Sequence, residues 1–502
     1  MDAPEEREDC ARYLDDLRKR GIAVRLDPAG LKCTADRGSV PPDVVEDLRR
    51  RRPALVRYLE SRPSAASELV RQPCTGTVPL GKGQATRLAW ARRALADGLP
   101  ALYAVGLVEL EEPVDTGRLF RALRALYARH LIFGARLSSS SDGWHYRTGT
   151  DAGDPDSSAR AAGVPVPVAP GALGAALRGF LAAPLAPEDA PLARVKVFAP
   201  GNSRAVVAFW LNPLFADAWS TWVLKTDFLR AYRTPDTDIG PPPLQFSDYI
   251  LWKIDNDRFV EERQIPFWRD ALHGWPAHDP GSPQEDGHRT EGKATFFTLA
   301  PDLCRDLREV CRLHRTTPFS ALFALFQILV GTLRSRNDVV TGVVGGRAMP
   351  ALRDAVAFCA NYVPIRTRLH PELSYLDLFL SVQKSCAAAN EHSYPHAEDL
   401  CHVLETGRAL GSAQFHFNPL PVTGQFSARD CYREWKRLSG CLRRFAADED
   451  VRMTVLDDGG SRIYVVLSTR EDARPPGAGT LAARYGQLVE MAAKDPFARC
   501  AS

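Results

Sequence analysis

No two of the eleven cysteines in this 502-residue sequence are spaced as a CxxC pair, and the closest are Cys304 and Cys311. An odd count without a regular framework excludes a disulfide scaffold and points to reduced thiols in the cytoplasm. No apolar run reaches membrane-spanning length. The most apolar helical stretch, Ser320 to Leu333, is too short and contains Gln327. The opening MDAPEEREDC is acidic and polar, with no apolar signal region. Gly342 to Arg347 has neither GxGxxG spacing nor a Walker lysine, which removes the case for nucleotide binding. A net charge of +3 gives no electrostatic case for nucleic acid. There is no internal repeat and no low-complexity tract, and only ten lysines stand against many arginines.

What is present is the composition of a globular protein, with 45% hydrophobic and 25% charged residues. The length predicts more than one compact unit. Residues 1–62 read as the first. Tyr13, Leu14 and Leu17 fall at helical spacing, and Gly21 follows Arg18, Lys19 and Arg20 as a helix stop. Ile22, Val24 and Leu26 alternate, and Asp27-Pro28-Ala29-Gly30 turns the chain toward Leu31 and Cys33, which predicts a hairpin. Ser39 to Pro42 starts a helix, and Pro53 is expected to begin a second. The basic run Arg49 to Arg52 reads as a solvated face at a helix end. Residues 63–77 are polar, carry proline and read as a linker. From Val78 onward helical and strand patterns alternate, predicting two α/β lobes over 78–276 and 293–502. Residues 138–175 read mostly as loop, and Ala277 to Gly292 reads as the connection between lobes.

The helix, hairpin, helix, helix order of residues 1–62 resembles the TubC-type docking domain of multienzyme synthetases. That resemblance implies that the exposed hairpin strand, with Ile22, Val24, Arg25 and Leu26, captures the tail of an upstream protein by strand addition. A small domain that merely packs on the rest is the alternative.

The most informative stretch is Val207 to Arg230, VAFWLNPLFADAWSTWVLKTDFLR, a buried strand running through a loop into a helix. Condensation domains of nonribosomal peptide synthesis carry HHxxxDG at such a transition, and here the letters are Asn212 to Ala218, NPLFADA. Heterocyclisation relatives carry DxxxxDxxS, which Asn212, Asp217 and Ser220 fit with the first Asp replaced. Further segments resemble the family in order. These are Pro79-Leu80 with Gln84, Arg87 and Leu88, then Leu126 to Leu137 with Arg129-His130, then PLQFSDYILW at Pro243 to Trp252 and Phe267-Trp268. DVVTGVVGGR at Asp338 to Arg347, VAFCANYVPIR at Val356 to Arg366 and EHSYPHAEDL at Glu391 to Leu400 complete the series. The resemblance implies an α/β fold of two chloramphenicol-acetyltransferase-like lobes in a V with a central tunnel, preceded by a small α+β docking domain. It implies no bound cofactor. Substrates would arrive on phosphopantetheine arms of carrier proteins, from upstream and downstream synthetase modules, without membrane or nucleic acid.

Pro213 stands where the family places its second histidine, and proline carries no titratable group. An amide-forming acyltransfer from a thioester would then depend on positioning, which supplies effective molarities of about 10⁵ M or more, against roughly 10²- to 10⁴-fold for a lost base. By resemblance Asp217 holds the loop, with Arg347 a candidate partner, and Asn361 belongs to the same framework. Ser220 reads as a helix cap or, with a nearby histidine, a nucleophile. His416 reads as a packed residue or as an alternative base. The heterocyclising Thr is missing ahead of Asp448, Glu449 and Asp450, so ring closure is not expected. His392, His396, Asp399, Cys401 and His402 superficially form a metal cluster, but Pro395 interrupts their helix and no metal is expected. A carrier-docking or partner-recruiting module without catalysis remains the alternative function.

Overall fold

The computed structural model describes Cys10, Tyr13, Leu17 and residues 22–27, 30–35, 40–61, 69–71, 76–81, 84–85, 87–89, 91–92, 104–110, 114–141 and 143–148. It further describes 155–169, 171–181, 190–201, 204–234, 238–256, 263–275, 290–345, 349–395, 400, 415–421, 427–442, 445–447, 451–470 and 477–500. Two compact units emerge, one formed by 1–68 with 255–266 and the other by 69–254 with 267–502.

In the first unit β1 (Ile22–Asp27) and β2 (Gly30–Ala35) pair antiparallel, with Asp27 opposite Gly30. Helix α1 (Pro42–Ser61) covers them. The second helix expected at Pro53 is instead a continuation of α1. Val44, Leu48 and Leu55 remain in phase across the proline and enter one core with Cys10, Leu17 and Ile22. Burial of that stripe, at about 1.5–3 kcal/mol per large side chain, offsets a hydrogen bond lost to proline at about 3 kcal/mol.

The second unit begins with β3 (Gly76–Pro79), β4 (Ala104–Leu110), α2 (Thr116–Arg129), β5 (Arg136–Ser140) and β6 (Gly143–Thr148). Then come α3 (Pro155–Gly163), β7 (Val166–Pro167), α4 (Leu173–Leu181), β8 (Ala193–Ala199), β9 (Ala205–Leu211) and α5 (Ala218–Arg233). Strand β3 takes Gly76 and Thr77 out of the expected linker, since both pair with β6. The stretch 138–175, expected mostly as loop, holds β6, α3 and β7 together with the end of β5 and the start of α4. Tyr146 and Thr148 alternate into the core of β6, and Ala159 and Ala162 bury one face of α3. Their small and polar residues hid this packing from a composition-based reading. The sheet that positions the site has the order β4-β9-β8-β7, and every residue of its central β9 is buried.

The remainder supplies α6 (Phe246–Asp255), α7 (Ile265–Ala271), β10 (Thr290–Thr298), α8 (Pro301–Leu313), α9 (Pro318–Arg334), β11 (Asp338–Gly345) and β12 (Asn361–Arg368). After these come α10 (Tyr375–Glu391), β13 (Phe415–Pro421), α11 (Ala428–Leu442), β14 (Phe445–Ala447), β15 (Val451–Asp457), β16 (Tyr464–Arg470) and α12 (Ala478–Lys494). Seven strands form one sheet in the order β12-β11-β13-β15-β16-β10-β14. One face is covered by α9, which is capped by Thr317 and buried without a break from Ser320 to Gly331. Phe323 and Phe326 of α9 lie 5.2 and 5.7 Å from Phe417 of β13. Gln327, fully buried, donates to Thr341 and accepts from Thr367, so its amide is paired rather than desolvated at a cost. Among the described residues no single helix is long and apolar enough to cross a membrane.

The opposite face of this sheet meets α5 and α11. Tyr432 of α11 lies 5.5 Å from Phe296 and 5.0 Å from Tyr464. Trp222, Ala428, Cys431 and Leu456 form one buried cluster there. Leu438 of α11 also packs against Leu107, Phe198, Val206 and Ala208 of the four-stranded sheet. Helix α11 is therefore shared between the two sheets.

Candidate functional site

The loop between β9 and α5 is built from the inside. Asn212 is buried, its N–H donates to Leu192 O at 2.8 Å, and its Oδ1 accepts from the Leu214 N–H at 3.0 Å. Its carbonyl accepts from Phe215 and Ala216. Phe215 is anchored by Tyr146 and Phe246, at 5.6 and 5.4 Å. Asn212 is thus a loop-closing residue. Pro213 beside it is half-buried, and Ala218 is the first residue of α5.

Asp217 caps α5. Its Oδ1 accepts from the Ser220 backbone N–H at 3.0 Å, and Ser220 Oγ accepts from the Asp217 N–H at 3.3 Å, a reciprocal capping box. Asp217 Oδ2 accepts from the Cys359 N–H at 3.1 Å. Ser220 Oγ accepts from the Ala357 N–H at 3.2 Å, and its one proton is shared between Asp217 Oδ1 at 2.9 Å and Ala357 O at 3.0 Å. Trp219 Nε1 donates to Arg353 O at 2.8 Å, and Arg87 lies 4.0 Å above the Phe358 ring. The loop thereby clasps the segment 353–359 that leads into β12. Ser220 is occupied as a cap and clasp.

Asn361, at the start of β12, donates to Ser393 O at 3.0 Å and Pro395 O at 2.8 Å. It fixes the turn after α10 and is not brought to the loop by those bonds. Arg347, His396, Asp399, Cys401 and His402 lie outside the described residues, as do Asp448, Glu449 and Asp450. The His416 backbone sits between Gly342 and Arg452 in register, and its side chain lies outside the description. The same holds for the side chains of Arg25 and Leu26, whereas Ile22 is buried and Val24 half-buried against the core of the first unit. His392 stacks on Phe267 with centroids 4.0 Å apart and bonds Ala388 O at 2.8 Å, a packed residue.

Sequence reading missed three polar centres. Lys225, buried in α5, pairs with Glu434 of α11, whose other oxygen accepts from the Leu107 N–H at 2.7 Å. A lysine in the apolar run WVLKTDFL was the available signal. His130 Nε2 lies 2.9 Å from Asp227 Oδ2, which also accepts from Arg129 Nε at 2.8 Å. Burial holds His130 below the usual imidazole range despite Asp227. Burial alone would raise Asp227, but His130 and Arg129 outweigh it and leave the carboxyl below its usual range. Third, Arg452 Nη2 reaches Tyr362 Oη at 3.1 Å across the open face of the large sheet. Burial pushes the thiols of Cys311, Cys386 and Cys431 up to about 12, so none of these supplies a thiolate nucleophile at neutral pH.

The architecture is shared with solved proteins. A chain of the complex of the X-domain and OxyB from teicoplanin biosynthesis superposes with a TM-score of 0.69 at 20% identity, covering 88% of this chain and 98% of that one. The EpoB NRPS cyclization-docking bidomain from Sorangium cellulosum gives 0.67 at 16% identity, covering 97% and 99%. In sequence the chain is 28% identical over 402 residues to the phosphinothricin tripeptide synthetase PhsC of Streptomyces viridochromogenes. That match takes in 73% of this chain and 35% of the synthetase, so the chain spans about a third of that relative's length. The condensation domain model matches residues 104–439, from the first strand of the four-stranded sheet into the shared helix α11, and the chain belongs to the condensation domain family.

Proposed function

We propose that this chain joins an acyl group held as a thioester to an amine, within nonribosomal peptide or mixed polyketide-peptide assembly. The amine lone pair attacks the thioester carbonyl, the C–N bond forms, the C–S bond breaks, and the proton leaving nitrogen ends on the thiolate. The observation that carries this reading is the intact clasp of Asp217 and Ser220 onto 357–359, in a loop whose base position is Pro213. The framework that holds two reactants is kept while the titratable group is absent, so rate enhancement rests on proximity. Both reactants would be presented on phosphopantetheine arms of upstream and downstream carriers, entering a tunnel between two lobes set in a V. The hairpin of residues 22–35 would receive an upstream tail, a reading supported by the extent of the similarity to the cyclization-docking bidomain.

Mass spectrometry of carrier-bound products tests it. Loaded carriers should form amide faster with the protein than alone, and equal rates with every neighbouring carrier pair would overturn it. A second reading, partner recruitment without catalysis, is favoured by the similarity to an X-domain solved in complex with OxyB. It predicts retention of an assembly-line partner by protein that shows no turnover.

A further inference from the structure

On the open face of the seven-stranded sheet, polar side chains stand in a row where an interior face would carry apolar ones. Alternation puts them there. Phe417 and Met453 pair in register on the face covered by α9, so their neighbours Asn418 and Thr454, also paired, stand on the other face. Val343 pairs with Phe417 and Val363, which places Tyr362 on that same open face, as its bond to Arg452 requires.

The surroundings locate this row beneath the motif loop. Two residues beyond Thr454 on the same face, Leu456 is sealed by Trp222 of α5 and by α11. At the other edge, the segment entering β12 is clasped by Asp217 at Cys359 and by Ser220 at Ala357, three and five residues before Tyr362. Between those seals Asn418, Arg452 and Tyr362 are only half-buried, so space remains above them. Asn418 Nδ2 reaches Thr454 Oγ1 at 3.5 Å, and its Oδ1 is buried with no partner. With the amide in this orientation the hydroxyl meets its donor end, and the end left unmet is the carbonyl oxygen, an acceptor. A buried amide end without a partner is costly, and it marks a place where a ligand N–H completes the bonding.

We propose that Asn418, backed by Thr454, is a substrate-positioning residue that holds the N–H of the incoming nucleophile, an amine or the amide behind it, at the place the missing imidazole would otherwise serve. This rests on the acyl-transfer reading above and assigns the nucleophile's subsite within it. The amide takes no proton. It orients the nitrogen, and the proton still leaves to the thiolate.

The test uses the full chain and its N418L, N418D and T454V variants. The binding probe is a non-hydrolysable glycyl amide of amino-pantetheine, followed by calorimetry, and kinetics use glycyl-pantetheine with a loaded donor carrier. N418L should weaken probe binding and raise the nucleophile KM by about tenfold, the cost of one unmade buried hydrogen bond, with donor KM unchanged. N418D keeps an acceptor and should stay within about threefold, while T454V should give an intermediate loss. Circular dichroism and thermal midpoints confirm folding. Asn418-dependent binding without turnover would sink the acyl-transfer reading and keep the site. Turnover with a nucleophile KM indifferent to N418L would sink the site and keep the reading. A parent protein that neither binds the probe nor turns over would sink both.

Discussion

Pro213 and Asp217 sit four residues apart and divide the labour of the loop differently from what their motif implies. Asp217 is spent on structure, bonding Ser220 and the Cys359 N–H. Replacing it by alanine removes a helix cap and strands a buried donor, a loss of about 2–4 kcal/mol in chemical denaturation, with D217N losing less because it keeps one acceptor oxygen. Pro213, by contrast, is half-buried and its side chain has no polar function to lose. P213H restores an imidazole at the family's base position. Under the acyl-transfer reading, amide formation should rise by tenfold or more with a dependence on pH near 6–7, and an unchanged rate would show that this side chain does not reach the reacting nitrogen. His130 gives the residue scale its pH prediction. Its folded value is depressed by burial, so the unfolded chain takes up a proton first as pH falls below about 6.5. Stability should therefore decline below that pH, by at most about 1.4 kcal/mol per unit for this group, and H130Q should flatten the slope between pH 7 and 5. Asp227, also depressed, acts in the same sense at lower pH, where protonation removes its pairing with Arg129.

At the scale of elements, α5 and α11 are locked by one buried ion pair, and the strand beside them is shaped to fit it. A Cβ on Gly106 would stand 3.0 Å from Lys225 Cδ and 3.2 Å from Thr221 Cβ, so G106A forces the lysine stem to move. Removing one charge strands the other, and K225M or E434L alone should cost about 3–5 kcal/mol, whereas the double change to apolar residues should recover part of it, the Leu107 N–H being left without its acceptor. A thermal-melt cycle over the four proteins reads this, and additive losses would contradict the pairing. The same scale shows what the sequence disclosed and concealed. The transition from β9 into α5 was legible because five apolar residues precede Asn212 and a capping Asp-x-x-Ser starts the helix. The continuity of α1 through Pro53 was not, because local proline rules point one way and the tertiary core at Leu48 and Leu55 points the other. The partners of Asp217 and Ser220 were concealed for a similar reason. They are backbone groups of Ala357 and Cys359, and a backbone N–H has no letter in the sequence.

Over the whole second unit, the decisive feature is that the chain returns to its own beginning. The four-stranded sheet is complete by Leu211, yet Leu177 of α4 covers only part of the face bearing Leu107, Phe198, Val206 and Ala208, and the cover is finished by Leu438, with Trp435 packed alongside, from more than two hundred residues later. Glu434 and Arg437 of the same helix bond the Leu107 N–H and Glu109. Two lobes read from alternating patterns therefore do not translate into two independent folding units, since the contacts that finish the first are encoded in the second. Burying apolar surface contributes about 25 cal/mol per Å², and a face of this kind left partly uncovered is also an aggregation hazard. A fragment ending at residue 276 should consequently bind a hydrophobic dye and precipitate, while co-expression with residues 277–502 should give a soluble complex that co-purifies. Hydrogen exchange would localise the effect, because the amides of β4 should lose protection in the fragment and regain it when α11 is supplied. Strand β4 protected equally in both preparations would mean that α11 is a passenger on the sheet rather than part of its core.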